Sequence, residues 1–226
     1  MPHRFKAILF DLDGTIIDSA PDLCATMNIL LAEENRRQIK LDEMKSCTGD
    51  GLKVMLEKAW RLTTDNGVEP LTPDRVPALM QRFLKIYEGI IAKPECIYPG
   101  MLEFLQTEFE NGTKLAVVTN KHEAAARRIL AQLKLADYFH IVIGGDTLRE
   151  RKPHPMPILH VLHEFKIAND DAVMIGDSPN DALSARDAGI PSIILTYGYN
   201  HDWPADLKPA AYAIHVHDCR LALQLI

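Results

Sequence analysis

Two aspartates stand one residue apart at the point where a short apolar segment ends. The chain reads Ile8-Leu9-Phe10-Asp11-Leu12-Asp13-Gly14-Thr15. Because side chains alternate between the two faces of a strand, Asp11 and Asp13 are expected to point to the same side. Paired carboxylates of this kind suit a hard cation such as Mg²⁺, and a carboxylate can also attack phosphorus as a nucleophile. The pair therefore predicts metal-assisted phosphoryl chemistry.

Such a site needs a sheet that brings several strand ends together, and the chain has the required pattern. Six apolar segments are predicted as strands, at Ala7–Phe10, Leu115–Val118, His140–Ile143, Ala172–Ile175, Ser192–Leu195 and Ala213–Val216. Helical periodicity lies between them, at Glu123–Leu135, Met156–Phe165 and Asn180–Ala188. This alternation indicates βαβ units and a parallel, Rossmann-like α/β core. Ligands of such sheets bind at the carboxyl ends of the strands, where Asp11, Thr119 and Asp177 are expected.

One long segment interrupts this alternation and contains no strand pattern. Helices are predicted there at Asp22–Ala32, Leu41–Lys45, Leu52–Trp60 and Pro73–Tyr87, the last with Thr72 as its N-cap. The Arg36-Arg37 pair is predicted to lie on a solvated helix face. We therefore expect a small helical lid over residues 18–88, inserted into a core formed by residues 1–17 and 89–226.

Composition limits the classes of protein to consider. The 226 residues are 47% apolar and 25% charged, with a net charge of −6, which argues against a nucleic-acid partner. No apolar run approaches the roughly 18 residues of a membrane span, and the N-terminus lacks a signal-peptide pattern. The four cysteines are far apart and are expected to be reduced thiols, so we expect a cytoplasmic protein. The sequence predicts no oligomeric state.

Four segments resemble, in order, the four motifs of the haloacid dehalogenase (HAD) superfamily. They are Asp11-Leu12-Asp13-Gly14-Thr15, Val117-Val118-Thr119-Asn120-Lys121, Arg151-Lys152-Pro153-His154-Pro155 and Gly176-Asp177-Ser178 with Asp181. The resemblance implies a HAD core sheet with an inserted cap domain. It also implies that Asp11 attacks phosphorus to form an aspartyl-phosphate. Asp13 would donate a proton to the leaving oxygen and later activate water.

The resemblance assigns the remaining polar residues to phosphate and metal. The Thr119 hydroxyl and the Asn120 amide would bind phosphate oxygens, and Lys152 would neutralise charge on the transferring group. Mg²⁺ would be held by Asp11, the backbone carbonyl of Asp13 and Asp177. Two residues would support the site from behind, Ser178 by capping the next helix and Asp181 by orienting Lys152 or by binding the metal through water.

A closer resemblance is to bacterial phosphoglycolate phosphatases. It is carried by Asp18-Ser19-Ala20-Pro21-Asp22-Leu23, Gly145-Asp146-Thr147-Leu148 and Leu195-Thr196-Tyr197-Gly198-Tyr199-Asn200. It implies hydrolysis of 2-phosphoglycolate to glycolate and phosphate. In the lid, Cys47 stands where these enzymes often have an aromatic residue, while Gly49 and Gly51 would let backbone amides approach a small carboxylate.

Other substrates and another class of protein remain open at this point. A sugar phosphate or a nucleotide would suit the same motifs, and a non-catalytic binding protein could keep the same fold. In each case the expected partner is a small phosphorylated metabolite.

Overall fold

The computed structural model describes residues 4–64, 71–90, 92–199 and 203–226. Asn200, which belongs to one segment of the closer resemblance, lies outside these ranges. The chain separates into two compact units. One comprises the chain up to Asp18 and from Lys93 onward, and the other comprises Ser19–Ala92.

The first unit is built on a parallel six-stranded sheet. Its strands are β1 (Ala7–Phe10), β2 (Lys114–Val118), β3 (Ile141–Ile143), β4 (Ala172–Gly176), β5 (Ser192–Leu195) and β6 (Ala211–Ala213). They lie in the order β3-β2-β1-β4-β5-β6, and each neighbouring pair is parallel. The predicted α/β class with a parallel core sheet is confirmed.

Among the described residues of this unit, five α-helices accompany the sheet. They are α5 (Met101–Glu110), α6 (Glu123–Gln132), α7 (Met156–Phe165), α8 (Pro179–Ala188) and α9 (Val216–Leu225), numbered after four helices of the second unit. No helix in the described ranges has both the length and the apolar character that crossing a membrane requires.

The alternation of side chains along β1 places apolar groups on both faces of the sheet. Ala7 and Leu9 belong to a buried cluster that also contains residues of α7 and α8. Phe10, whose side chain points to the opposite face, contacts the ring of Phe104 on α5 edge-on at 6.1 Å. Burial on both faces explains why these strands are apolar along their whole length.

The second unit contains only helices among its described residues. They are α1 (Ala20–Glu33), α2 (Leu41–Cys47), α3 (Leu52–Leu62) and α4 (Val76–Glu88). Helix α4 begins at Val76, so the predicted start at Pro73 with Thr72 as the cap is wrong. Thr72 instead accepts a backbone hydrogen bond from Arg75, which closes a turn before the helix.

Arg36 also differs from its prediction. It follows the end of α1, is only 7% exposed, and its guanidinium lies 4.8 Å from the ring centre of Trp60. The same group donates a hydrogen bond to the Trp60 carbonyl at 3.2 Å. The predicted solvated helix face is therefore wrong at this residue, because the buried cation is satisfied by an aromatic face and a carbonyl.

The predicted sixth strand ends earlier than expected. Strand β6 stops at Ala213, and α9 begins at Val216. Asp218 accepts hydrogen bonds from the amides of Ile214 and His215, at 3.1 and 2.8 Å. A carboxylate near the start of a helix that accepts hydrogen bonds from the amides before the helix stabilises the helix start. This effect outweighs the strand preference of the β-branched residues in Ala213–Val216.

Candidate active site

The sheet brings three polar strand ends to one edge. Phe10 at the end of β1 is in register with Val117 of β2 and Ile175 of β4. Asp11, Thr119 and Asp177 therefore leave the sheet side by side. The pairing continues past the strands, because the Asp11 amide donates to the Ile175 carbonyl at 3.0 Å and the Thr119 amide to Ile143 at 2.9 Å.

Three carboxylates converge at this edge. Asp11, Asp177 and Asp181 offer oxygens that lie within 4.8 Å of one another, and all three residues are buried. Three buried negative charges at this separation repel one another strongly unless cations offset them. The donor set consists of carboxylate oxygens alone, which is the chemistry that Mg²⁺ prefers.

Lys152 supplies one compensating charge. Its Nζ lies 3.2 Å from Asp11 Oδ1 and 2.5 Å from Asp181 Oδ1, and the side chain is 1% exposed. One lysine cannot neutralise three ionised carboxylates, so the fully ionised cluster has a net negative charge. The arrangement therefore fits a divalent cation, with Asp11 and Asp177 as the carboxylates that would hold it.

Asp181 is engaged through both of its oxygens. Oδ1 accepts from Lys152, while Oδ2 accepts from the Asp177 amide at 3.2 Å and from the amide and hydroxyl of Ser178 at 3.0 and 2.7 Å. Ser178 is the N-cap of α8 and forms a capping box with Asp181. Through these contacts Asp181 holds both Lys152 and the start of α8.

Asp177 is held by residues far away in sequence. Thr15 donates its hydroxyl to Asp177 Oδ1 at 3.0 Å, and the amide of Tyr199 donates to Oδ2 at 2.8 Å. A Cβ on Gly198 would lie 2.3 Å from the Asp177 Cβ, so the loop after β5 can approach this closely only with glycine there. Both carboxylate oxygens thus have fixed donors, which orients the group.

Burial alters the proton affinities of this cluster in the absence of a cation. Burial raises the pKa of Asp11 to about 6, although Lys152 opposes the shift. Burial, reinforced by the charges of Asp181 and Asp11, raises the pKa of Asp177 well above its ordinary range. Burial alone would lower the pKa of Lys152, but Asp11 and Asp181 raise it, so the lysine stays charged.

The other two residues predicted to bind phosphate lie at the end of β2. Thr119 and Asn120 are both buried, and the Thr119 hydroxyl accepts a hydrogen bond from the Lys121 amide at 3.2 Å. The side-chain amide of Asn120 donates to the Lys152 carbonyl at 3.0 Å. The segment that carries Thr119 is therefore joined directly to the segment that carries Lys152.

Asp13 contacts Lys121, for which the family resemblance implies no role. Lys121 Nζ lies 3.1 and 3.0 Å from the two carboxylate oxygens of Asp13. Lys121 belongs to the quoted segment Val117–Lys121, but its spacing from Thr119 carries no signal that it would reach Asp13. Tyr199 was missed for a different reason, since it contacts Asp177 through a backbone amide that any residue has.

Gly49 and Gly51 belong to the second unit and flank Asp50. Both glycines have positive φ, and Gly51 is the N-cap of α3. Asp50 forms an ion pair with Lys58 of α3, with 2.7 Å between Nζ and Oδ2. The negative charge of this turn is thus balanced within the unit itself.

Comparison with known proteins gives consistent results. A family model described as haloacid dehalogenase-like hydrolase matches residues 8–195. A phosphoglycolate phosphatase of Nitrosospira multiformis is 39% identical over 199 residues, which cover 88% of this chain and 86% of the relative. Phosphoglycolate phosphatase 1 of Pseudomonas aeruginosa is 36% identical, with 88% of this chain and 72% of the relative covered.

Solved structures show the same architecture. The crystal structure of a predicted phosphoglycolate phosphatase from Haemophilus somnus superimposes with a TM-score of 0.89 at 32% identity, covering 98% of this chain and 99% of the other. A β-phosphoglucomutase structure from Clostridium difficile has a TM-score of 0.75 at 17% identity and 97% coverage of both chains. At that identity the second likeness concerns the fold alone.

Proposed function

The chain is a member of the haloacid dehalogenase-like hydrolase family, and we propose that it is a Mg²⁺-dependent phosphomonoester hydrolase that cleaves 2-phosphoglycolate to glycolate and inorganic phosphate. One observation carries the proposal. Lys152 bridges Asp11 and Asp181 inside a buried cluster with Asp177, so residues from three separate chain segments meet at one point.

Asp11 is the proposed nucleophile. Its carboxylate oxygen bonds to phosphorus as the bond from phosphorus to the glycolate oxygen breaks, which leaves an aspartyl-phosphate and glycolate. Asp13 gives its proton to the departing oxygen. Asp13, now ionised, then takes a proton from water as that oxygen attacks phosphorus, and the bond from Asp11 to phosphorus breaks to release phosphate.

The phosphate group needs cationic and neutral hydrogen-bond donors around it. Lys152 lies 3.2 Å from the nucleophilic carboxylate, which places its charge beside the phosphoryl group that Asp11 would receive. Thr119 and Asn120, at the neighbouring strand end, supply a hydroxyl and a backbone amide for the phosphate oxygens. These groups offset the repulsion between an anionic nucleophile and an anionic substrate.

Asp11, Asp177 and the backbone carbonyl of Asp13 would hold the Mg²⁺. The bound ion supplies charge neutralisation between the carboxylate and the phosphate. Asp181 is assigned to supporting Lys152 and not to the ion, because Lys152, Asp177 and Ser178 already occupy both of its oxygens. The excess negative charge of the cluster is what favours a divalent ion there.

The substrate assignment is supported by relatives named phosphoglycolate phosphatase. We assign the second unit, Ser19–Ala92, as the lid. Within it, the amides around Gly49 and Gly51 would contact the substrate carboxylate. The Asp50–Lys58 ion pair supports this contact, since it reduces the repulsion between the Asp50 charge and an anion.

Two further proposals complete the assignment. The partner is a small phosphorylated metabolite, and the location is cytoplasmic.

A phosphate-release assay over many small phosphoesters, with Mg²⁺ and with chelator, tests the proposal. We expect 2-phosphoglycolate to have the highest kcat/KM and chelator to abolish turnover. Asp11→Asn should be inactive although it remains folded, and Asp170→Asn, at an exposed position in a short 3₁₀ helix, serves as the matched control. A sugar phosphate or nucleotide with a far higher kcat/KM would replace the substrate, and no phosphate release from any compound would indicate a binding protein.

A further inference from the structure

We propose that Lys121 is a positioning residue for the acid–base step, and that it holds the carboxylate of Asp13 apart from the carboxylates that take the cation. The inference rests on the proposed function, because it concerns the proton transfers of that reaction. Lys121 acts through Asp13 in this proposal and needs no contact with the substrate.

The contact between the two side chains is bidentate and shielded. Lys121 Nζ lies 3.1 Å from Asp13 Oδ1 and 3.0 Å from Oδ2. The lysine side chain is 7% exposed and the aspartate side chain 13% exposed. Contact with both oxygens opposes rotation of the carboxylate, and the limited exposure reduces screening by salt and water.

The backbone of Lys121 is itself fixed by two loops. Its amide donates to the Thr119 hydroxyl at 3.2 Å, and its carbonyl accepts from the Gly145 amide at 2.8 Å. The next helix, α6, is anchored to the same loop, because Asp146 accepts a hydrogen bond from the Glu123 amide at 2.8 Å. The lysine therefore extends towards Asp13 from a backbone that the ends of β2 and β3 hold in place.

The position of Asp13 explains why such a contact is needed. The group of carboxylates that could hold a cation contains Asp11, Asp177 and Asp181, but not Asp13, which is only two residues from Asp11. A hard cation prefers carboxylate oxygen, so an unrestrained Asp13 side chain would be drawn to it. A carboxylate bound in that way is no longer available for the leaving oxygen, and acid–base catalysis requires it within hydrogen-bond reach.

Lys121→Met tests the inference through the leaving group. With 2-phosphoglycolate, whose leaving oxygen needs a proton, we expect kcat to fall about 100-fold. With p-nitrophenyl phosphate, whose leaving group departs as a stable anion, we expect a loss of less than about 5-fold. Lys121→Arg should recover most of the loss, because guanidinium can contact both oxygens of a carboxylate. Lys6→Met, which removes an exposed ion pair with Asp171, is the control and should change neither rate.

A double-mutant cycle and a measurement of metal binding complete the test. In the Asp13→Asn background, Lys121→Met should cause no further loss of kcat. Titration of the free enzyme with Mn²⁺, followed by electron paramagnetic resonance, should show tighter binding in Lys121→Met than in the wild type. The Asp13→Asn variant and the double variant should bind Mn²⁺ equally well. Circular dichroism and urea unfolding confirm that each variant is folded.

Several outcomes would overturn the inference. Equal losses with both substrates, additive effects in the cycle, or unchanged Mn²⁺ affinity would each show that Lys121 does not position Asp13. A gain of activity in Lys121→Met would show that the ion pair restrains Asp13 from its task. Absence of turnover in the wild-type enzyme would instead contradict the proposed function, and the Mn²⁺ titration would still test the contact between Lys121 and Asp13.

Discussion

The backbone amide of Tyr199 donates a hydrogen bond of 2.8 Å to Asp177 Oδ2, across 22 positions of sequence. The hydroxyl of the same tyrosine donates to Asp18 Oδ1, also at 2.8 Å. Tyr197 adds a third attachment, since its hydroxyl donates to the Thr15 carbonyl at 2.9 Å. Residues 196–199, which follow β5, are therefore part of the structure that orients Asp177, although none of these four residues is acidic.

Gly198→Ala should weaken metal binding. The added Cβ would lie 2.3 Å from the Asp177 Cβ and 2.4 Å from Oδ2, so either the loop or the carboxylate must move. We expect the Mg²⁺ concentration for half-maximal activity to rise about tenfold or more, since orientation of the ligands that surround a metal has effects of that size. Isothermal titration with Mg²⁺ measures the affinity directly.

Gly89→Ala is the matched control for that substitution. Gly89 follows α4 and has a φ of −74°. A Cβ added at Gly89 would lie 3.3 Å from the Ile86 carbonyl oxygen, which is the atom nearest to it. Its effect on Mg²⁺ affinity should be negligible. Equal affinities in wild type and Gly198→Ala would contradict the role assigned to the loop.

Asp181→Asn should reduce both stability and turnover. The substitution keeps the size of the side chain but places an NH₂ group against either Lys152 or the donors at Asp177 and Ser178. Lys152 keeps Asp11 at 3.2 Å, so the loss of stability should be smaller than the roughly 3–5 kcal/mol that a buried charge without any partner costs. Urea unfolding should show a lower midpoint, and kcat should fall because Lys152 loses the group that orients it. Asp187→Asn, an exposed position paired with Arg186, should have neither effect.

The contribution of Asp11 to the stability of the metal-free protein should fall as the pH rises from about 4 to about 6. Burial raises the pKa of Asp11 from an ordinary 3.8 to about 6, so in this window the folded protein keeps a proton that the unfolded chain releases. Stability falls with pH wherever the folded state binds more protons, and a shift of this size corresponds to roughly 3 kcal/mol.

Asp11→Asn isolates this contribution. Asparagine does not titrate. In buffers containing chelator, the unfolding free energy of the variant should therefore rise relative to that of the wild type as the pH increases across the same window. Below about pH 3 the difference should level off, because Asp11 is then protonated in both states. A difference that stays constant between pH 4 and pH 7 would contradict the assigned cause.

Arg36→Lys should destabilise the helical unit. Arg36 stacks over Trp60 and donates to the Trp60 carbonyl and to the hydroxyl of Thr63. A lysine cannot reproduce the planar stacking and the directed donors together, and loss of such contacts costs about 1–3 kcal/mol. Urea unfolding followed by tryptophan fluorescence provides the measurement. Arg61→Lys, on the exposed face of α3, should leave the midpoint unchanged.

Local pattern was sufficient for much of the sheet. Strands β1 to β5 lie within one residue of their predicted bounds, and α7 matches its predicted bounds at both ends. Strands buried on both faces are continuous apolar runs, and this signal needs no knowledge of the partner strand. The pattern failed at Ala213–Val216 and at Pro73, where helix capping and a preceding turn decide the boundary.

The positions of the motifs after predicted strands also indicated which polar residues would meet, because a parallel α/β sheet brings the carboxyl ends of its strands to one edge. The contacts among them were decided by tertiary structure alone. Lys121 meets Asp13 across 108 positions, and Tyr199 reaches Asp177 through an amide. Arg36 is buried because Trp60 packs over it. Each of these three contacts joins residues that are far apart in the chain. Composition and local spacing do not predict such contacts, because the same residue occurs in the sequence whether its partner is a carboxylate or water.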